Sequence, residues 1–293
     1  MYKCFLCDYQ GEMKIKSSVE GRDIVKCPKC ELEFIYNQPT FEEIKNIYSR
    51  DYYKAWGMES GENTEVASMK KSTFSDMLKK ILPYKNCGNI LDIGTASGFL
   101  LEEAKKLGFE PYGIELSEYS STIAKKKFGE ERIYNGTLEN ANFEENFFDI
   151  ITMCDFLEHS QNPVNILNIC NKLLNITTNS NGGGGGYIMM TVPNTNSFTH
   201  NIMGKKWTQY KFEHLFYFNK KNIEILANKT GFKIIYFKSA LKTMTLKYMR
   251  DQFNVYKLFP ITQLLNIINR IPIINKLKFK IRLGESLIIL KKI

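Results

Sequence analysis

The chain has 293 residues, 43% of them hydrophobic and 24% charged, and a formal net charge of +9. That length holds one large domain and a small one, the composition is ordinary for a soluble globular protein, and no apolar run reaches the ~18 residues a spanning helix needs. The charge is local: residues 241–293 hold 11 Lys/Arg against 2 Asp/Glu, while the remaining 240 residues hold 29 of each.

The first residues, Met1-Tyr2-Lys3-Cys4, form no apolar signal segment, which predicts a cytoplasmic chain whose cysteines stay reduced. Cys4, Cys7, Cys27 and Cys30 follow as C-x2-C-x19-C-x2-C. Two such turns can bring four thiolates into a tetrahedron, so the spacing predicts a structural zinc site, with a redox pair as the alternative. A segment this short cannot bury a sufficient core alone, and metal binding would supply folding energy. Residues 1–38 are therefore read as a zinc ribbon and 39–64 as a linker. Thr40 and Glu43 form a capping box ahead of Ile44 and Ile47. Tyr52 and Tyr53 could pack the small domain on the large one or reach over a ligand.

The large domain, 65–293, opens with a helix expected over 65–82 and stopped by Pro83. A buried strand over Ile90–Ile93 then runs into Asp92-Ile93-Gly94-Thr95-Ala96-Ser97-Gly98, followed by a helical pattern over 99–107. Strand, glycine-bearing turn and helix form the first unit of a nucleotide-binding α/β sheet. The glycines stand at i and i+4, so this is neither the dinucleotide fingerprint nor a phosphate loop. A strand over 110–115 ends in Glu115, placed to accept both ribose hydroxyls of a nucleoside. A helix over 118–128, a strand over 132–134 and a strand over 147–154 follow. The last delivers Asp155, Glu158 and His159 to the carboxyl edge of the sheet, where ligands bind. A helix over 163–174 leads to a low-complexity stretch, 175–186, read as an enlarged turn. A strand over 187–192 ends at Pro193-Asn194. The aromatic-rich segment 194–218 is the expected acceptor pocket or lid. A helix over 219–230 and a strand over 232–238 precede a basic insertion, 241–283, in which Ile261, Leu264, Leu265 and Ile268 share one helical face. The insertion suits an anionic partner such as a membrane surface, or is simply solvated lysine. The final strand is expected over 285–290.

Taken together, Leu91-Asp92-Ile93-Gly94 with Gly98, the acid Glu115, Asp155-x-Leu157-Glu158-His159 and Val192-Pro193-Asn194 resemble a class I S-adenosylmethionine-dependent methyltransferase. The four-cysteine ribbon and Glu213-His214-x-x-Tyr217-Phe218 resemble a narrower group, the zinc-ribbon methyltransferases of sugar and cell-surface glycan pathways. Sugar C-methyltransferases of that group carry a further C-terminal domain that 293 residues do not accommodate, and Ala96 stands where the middle glycine of the motif is common. The resemblance implies a Rossmann-like seven-stranded sheet with the last strand antiparallel. It also implies roles: Gly94, Ala96 and Gly98 around the methionine part, Asp92 ordering the turn, Glu115 on the ribose and Leu116 on the adenine. Leu138 and Glu139 would lie at the adenine edge, and Cys154 and Asp155 at the amino acid end.

Methyl transfer to a hydroxyl needs alignment, exclusion of water and a base or metal. His is the side chain best matched to proton transfer near neutral pH. His214 is the first candidate, His159 the second, and Glu213 a neighbour that adjacency alone does not make a partner; His200 is read as a surface loop position. Three readings stay open. One is a methyltransferase acting at O, N or C on a sugar or cell-surface glycan intermediate, such as a nucleotide- or lipid-linked sugar. Another is a methyltransferase of a membrane-associated quinone precursor, docked peripherally through 241–283. The third is a ribbon binding module with an inert methyltransferase-like domain. The balanced charges of the first 35 residues give no nucleic-acid footprint.

Overall fold

The structure is a computed structural model and describes residues 1–47, 65–176, 185–255 and 277–293. The chain starts with β1 (Tyr2–Lys3) and β2 (Gln10–Gly11), paired antiparallel around the first two cysteines, then β3 (Lys14–Val19), β4 (Arg22–Lys26) and β5 (Glu33–Ile35). α1 (Phe41–Ile47) follows, and its capping box forms: Glu43 N donates to Thr40 Oγ1 (3.2 Å) and Thr40 N to Glu43 Oε2 (2.7 Å). α2 spans Glu65–Leu78, shorter than expected. Lys80 N and Ile81 N donate to Met77 O and Leu78 O, so the last turns tighten before Pro83, which has no N–H and disfavours helix in the residue ahead of it.

The large domain continues through β6 (Gly88–Ile93), α3 (Phe99–Lys106), β7 (Phe109–Glu115), α4 (Glu118–Phe128), β8 (Ile133–Asn135), β9 (Ile150–Cys154) and α5 (Pro163–Leu173). After them come β10 (Tyr187–Pro193), α6 (Phe198–Met203), β11 (Phe216–Tyr217), α7 (Lys220–Lys229), β12 (Phe232–Ser239), β13 (Lys242–Thr245), α8 (Leu246–Val255), β14 (Lys278–Ile281) and β15 (Glu285–Lys292). Caps set the helix starts: Asn162 accepts from Asn165 N with Pro163 in the first turn, and Asn219 and Asn222 cap each other reciprocally ahead of α7.

Seven strands form one sheet in the order β12-β15-β10-β9-β6-β7-β8. β15 runs antiparallel to both neighbours, and the pairs β10–β9, β9–β6, β6–β7 and β7–β8 are parallel. This is the Rossmann-like seven-stranded sheet expected from the sequence, with its last strand antiparallel. Every residue of β10 is buried, as a central strand covered on both faces requires. β9 begins three residues later than the apolar run, because Phe147 N and Phe148 N donate to Leu173 O rather than to a strand.

A second sheet, in the order β11-β5-β4-β3, joins two segments far apart in sequence: β11 comes from the 194–218 segment and the other three strands from the N-terminal segment. Inside the basic insertion, β13 and β14 pair as a hairpin lying along α2, with Thr243 N donating to Thr73 Oγ1 (2.8 Å). The expectations for Tyr52 and Tyr53, for the centre of the glycine-rich turn and for Ile261, Leu264, Leu265 and Ile268 lie outside the described residues. Among the described residues no helix is long and apolar enough to cross a membrane.

Candidate functional site

β6, β7 and β9 end at one edge of the sheet, above a cavity of about 560 Å³. One half of it is made by the turn after β6. Gly94 N and Thr95 N both donate to Ile114 O (2.9 and 3.0 Å), folding the turn back over β7. That fold requires left-handed backbone at Gly94 (φ 77°), and Ala96 is forced into it as well (φ 49°). Glu115, at the end of β7, clamps the arrangement: Ala96 N donates to its Oε2 and Ser117 N to its Oε1, both at 2.8 Å. The carboxylate is thus fixed and buried, yet each oxygen keeps lone-pair capacity toward the cavity.

Asp92 is 4% exposed and accepts from Thr152 Oγ1 at 2.6 Å. Burial pushes its carboxyl up to about 7, against the hydrogen bond from Thr152. Asp92, Gly94, Ala96, Glu115, Leu116, Leu138, Glu139, Cys154 and Asp155 all line the cavity. Gly98 does not. Its left-handed backbone (φ 83°) starts α3, and a Cβ there would come within 2.6 Å of the Phe128 ring, so helix packing also favours a glycine at this position.

The other half of the cavity brings together His159 and His214, from the short turn after β9 and from the 194–218 segment. Their rings meet edge to face with centroids 4.8 Å apart. His214 Nδ1 lies 2.9 Å from the Gln209 carbonyl, which can only accept, so Nδ1 carries the proton and Nε2 is bare. His159 likewise bonds the backbone of Glu213. Burial holds both rings neutral, His159 down to about 4 and His214 well below the usual value, with Lys211 and the neighbouring ring adding to the effect. Glu213 itself is absent from the cavity wall; among the described residues its contribution there is a carbonyl. Burial raises Glu158 well above the carboxylate range, and its Oε2 has no hydrogen-bond partner among the described residues. Ligand atoms of Glu158, His159 and His214 lie within 4.8 Å of one another, close enough to share a metal ion.

Where the two halves meet stands a group that sequence reasoning missed. Lys242 Nζ, at the root of the inserted hairpin, donates to Asp155 Oδ2 and Glu285 Oε1, both at 2.8 Å. Thr191 Oγ1 donates to Asp155 (2.7 Å) and Gln209 Nε2 to Glu285 (3.0 Å). Asp155 keeps 43% of its side chain exposed, and the partial desolvation that would raise it is overridden by the Lys242 ammonium, which holds the carboxylate low. The only sequence signal for Lys242 was its membership in a basic run. His200 is also not a surface position: its ring is buried, with Nε2 at 3.0 Å from Tyr210 Oη, whose proton goes to Glu33 Oε2 at 2.6 Å. The cavity wall also includes Val66, Met69, Phe74 and Met77 of α2 and Met244 and Met249 of the insertion.

The four N-terminal cysteines gather apart from this cavity. Cys4 and Cys30 sulfurs are 3.5 Å apart, Cys7 and Cys27 3.6 Å, and all four ligand atoms lie within 4.8 Å. No pair is bonded as a disulfide. Zn–S bonds of about 2.3 Å in a tetrahedron give sulfur separations of roughly 3.8 Å, so the cluster fits a single metal ion.

Residues 48–236 match the family model described as a methyltransferase domain. Over 121 residues the chain is 28% identical to the mitochondrial ubiquinone biosynthesis O-methyltransferase of Schizosaccharomyces pombe, covering 38% of this chain and 43% of that protein. It is 32% identical over 90 residues to the ubiquinone biosynthesis O-methyltransferase of Nitrosococcus oceani, covering 29% of this chain and 38% of that protein. The chain thus spans about two-fifths of the length of the curated relatives it matches. Among solved structures, a SAM-dependent methyltransferase from Thermotoga maritima aligns with a TM-score of 0.54 at 18% identity, covering 87% of this chain and 100% of that one, a likeness of fold.

Proposed function

This chain belongs to the methyltransferase-domain family, and on that premise we propose that it transfers a methyl group from S-adenosylmethionine to a hydroxyl of a small, largely apolar acceptor. S-adenosylmethionine supplies an electrophilic methyl on a sulfonium, taken by in-line displacement. The cavity suits that molecule: Glu115 offers fixed oxygens to the ribose, Leu116 and Leu138 offer apolar faces to the adenine with Glu139 at its edge, and Asp92, Cys154 and Asp155 surround the amino acid end. Gly94 and Ala96 keep the turn close to the sheet.

The observation that carries the acceptor half is the neutral His159–His214 pair. With its Nδ1–H committed to Gln209, His214 has a bare nitrogen to take the acceptor's hydroxyl proton as the methyl bonds to the oxygen. His159 backs it, and the apolar walls exclude water. A base of low pKa works best on a hydroxyl that gives up its proton readily, so a phenol suits this pair better than an aliphatic alcohol. The likeness to ubiquinone biosynthesis O-methyltransferases supports a quinone-precursor acceptor. Phe198 and Ile202, 79% and 67% exposed beside the exposed Lys205 and Lys206, add support for contact with an anionic lipid surface, alongside the contact expected through 241–283. A sugar or glycan-linked acceptor is the second reading, supported by the polar groups Ser160, Gln161, Asn162, Thr208 and Lys211 along the same cavity. The four thiols are assigned one structural zinc.

Calorimetric titration with S-adenosylmethionine is the first test, and absence of binding would leave only a ribbon module with an inert domain. Release of S-adenosylhomocysteine with catechols and hydroxybenzoates is then expected to exceed that with nucleotide sugars. The reverse preference would overturn the phenolic acceptor and favour the sugar.

A further inference from the structure

The N-terminal ribbon contributes no residue of 1–38 to the cavity wall. Its backbone nevertheless reaches the histidine pair in four steps. The second cysteine turn closes with Cys27 N donating to Leu32 O (2.9 Å) and leads directly into β5. β5 pairs with β11, Phe34 opposite Phe216 and Glu33 opposite Tyr217. Just before β11, Leu215 is held from both sides: its carbonyl accepts from Ile35 N (3.0 Å) and its N–H donates to Glu158 O (2.7 Å). Leu215 follows His214, and Glu158 precedes His159. One backbone hydrogen-bond chain therefore runs from the cysteine turn to both rings.

Side chains reinforce the same connection. Glu33 is fully buried and takes the Tyr210 hydroxyl proton at 2.6 Å, with His200 Nε2 at 3.5 Å. Asn222, in the cap of α7, donates to the Cys30 carbonyl (2.5 Å), and Lys229 donates to the Leu6 carbonyl (2.8 Å). These contacts run to the 194–218 segment and α7. The Gly94 turn and Glu115, which face the methyl donor, are tied instead to β7.

We propose that the four-cysteine cluster is a metal-dependent positioning element for the acceptor half of the site: a bound ion fixes β5, β5 fixes Leu215, and Leu215 sets the spacing of His159 and His214. The donor half is independent of it. Leu215, Phe34 and Glu33 are positioning residues in this scheme, which rests on the zinc and acceptor assignments above. No disulfide joins the two cysteine turns, so without the ion nothing covalent links one to the other, and its loss loosens β5 at its N-terminal end.

The chain has only three histidines, which makes imidazole NMR a direct reporter. Signals are assigned by His159→Gln, His200→Gln and His214→Gln, and spectra of the full chain are compared before and after zinc removal by a chelator and after zinc is returned. The expected result is that all three signals move and recover, while affinity for S-adenosylhomocysteine by calorimetry changes by less than about threefold. Histidine signals that ignore the metal would overturn the proposal, as would donor affinity lost in parallel with them. Metal analysis of the starting protein separates failure of the zinc assignment from failure of the coupling. Should chelation unfold the chain, Phe34→Leu decides: it leaves the cysteines intact and loosens the β5–β11 contact. Shifted His159 and His214 signals at full zinc content support the coupling, and unshifted ones refute it.

Discussion

Replacing Asp92 with Asn should make the ligand-free protein more stable, and by an amount that depends on pH. Asp92 is 4% exposed, and burial lifts its carboxyl from the ordinary 3.8 to about 7. A group whose pKa is raised on folding lends stability that is complete below the unfolded value and is lost as pH climbs through the folded one. At about 1.4 kcal/mol per pKa unit, the wild-type protein gives up on the order of 4 kcal/mol between pH 4 and 7. Asn keeps an oxygen for the Thr152 hydroxyl and never ionises. The advantage of Asp92→Asn should therefore grow from pH 4 to 7 and level off above. For a chain of this size, the part falling between pH 5 and 7.5 corresponds to roughly 5 °C in melting temperature. Thermal unfolding of both proteins at pH 5, 6, 7 and 7.5, without ligand, measures it. Affinity for S-adenosylmethionine should fall about 10- to 100-fold, the worth of a charge-assisted hydrogen bond. A melting difference that is flat with pH, or that favours the wild type throughout, would refute the assignment of Asp92 as a buried carboxyl held close to neutral.

Lys242→Met leaves the buried Glu285 and the half-exposed Asp155 without their ammonium and should cost about 1–3 kcal/mol in urea unfolding, mostly through Glu285 because solvent screens Asp155; adding Glu285→Gln should recover part of it, and a neutral effect would show the network to be dispensable. His214→Gln is expected to lower kcat by about 10²- to 10⁴-fold with an accepted phenol, with donor affinity by calorimetry unchanged. His159→Gln should do the same more weakly, and parallel loss of donor binding would argue that the rings hold the fold and not the acceptor. Ala96→Gly relieves a left-handed alanine (φ 49°) and should stabilise the protein by roughly 1 kcal/mol in the same unfolding assay.

The donor half was legible because its parts are close in sequence and specified by backbone. The Gly94 turn, Ala96 and Glu115 lie within one strand-turn-helix-strand unit, and each residue type answers to a local requirement: positive φ, close approach, or a carboxylate at a strand end. Gly98 belongs to the same unit, yet nothing in the local sequence pointed to the Phe128 ring against which its missing Cβ leaves room. The acceptor half was legible only in outline. His159 and His214 were both singled out, but their edge-to-face contact depends on a two-residue strand, β11, too short to leave a periodicity. His200 was misread because the buried acid that anchors it, Glu33, lies at the far end of the sequence.

Lys242 shows most clearly why composition misleads here. The surplus of Lys and Arg in 241–293 reads as a surface field, and for Lys278 or Lys280, which are exposed, that is correct. Lys242 belongs to the same run but turns toward the sheet, because the insertion must leave it between β12 and β15 beside two carboxylates, the half-exposed Asp155 at the end of β9 and the buried Glu285 at the start of β15. An ammonium at that point pairs with both strand ends and fixes the root of the hairpin whose Met244 walls the cavity. The insertion is therefore tied to the site by an internal charge network, whatever surface its outer lysines meet. Neutralising the outer lysines should weaken contact with anionic vesicles and leave donor affinity intact, whereas Lys242 is needed for the cavity itself.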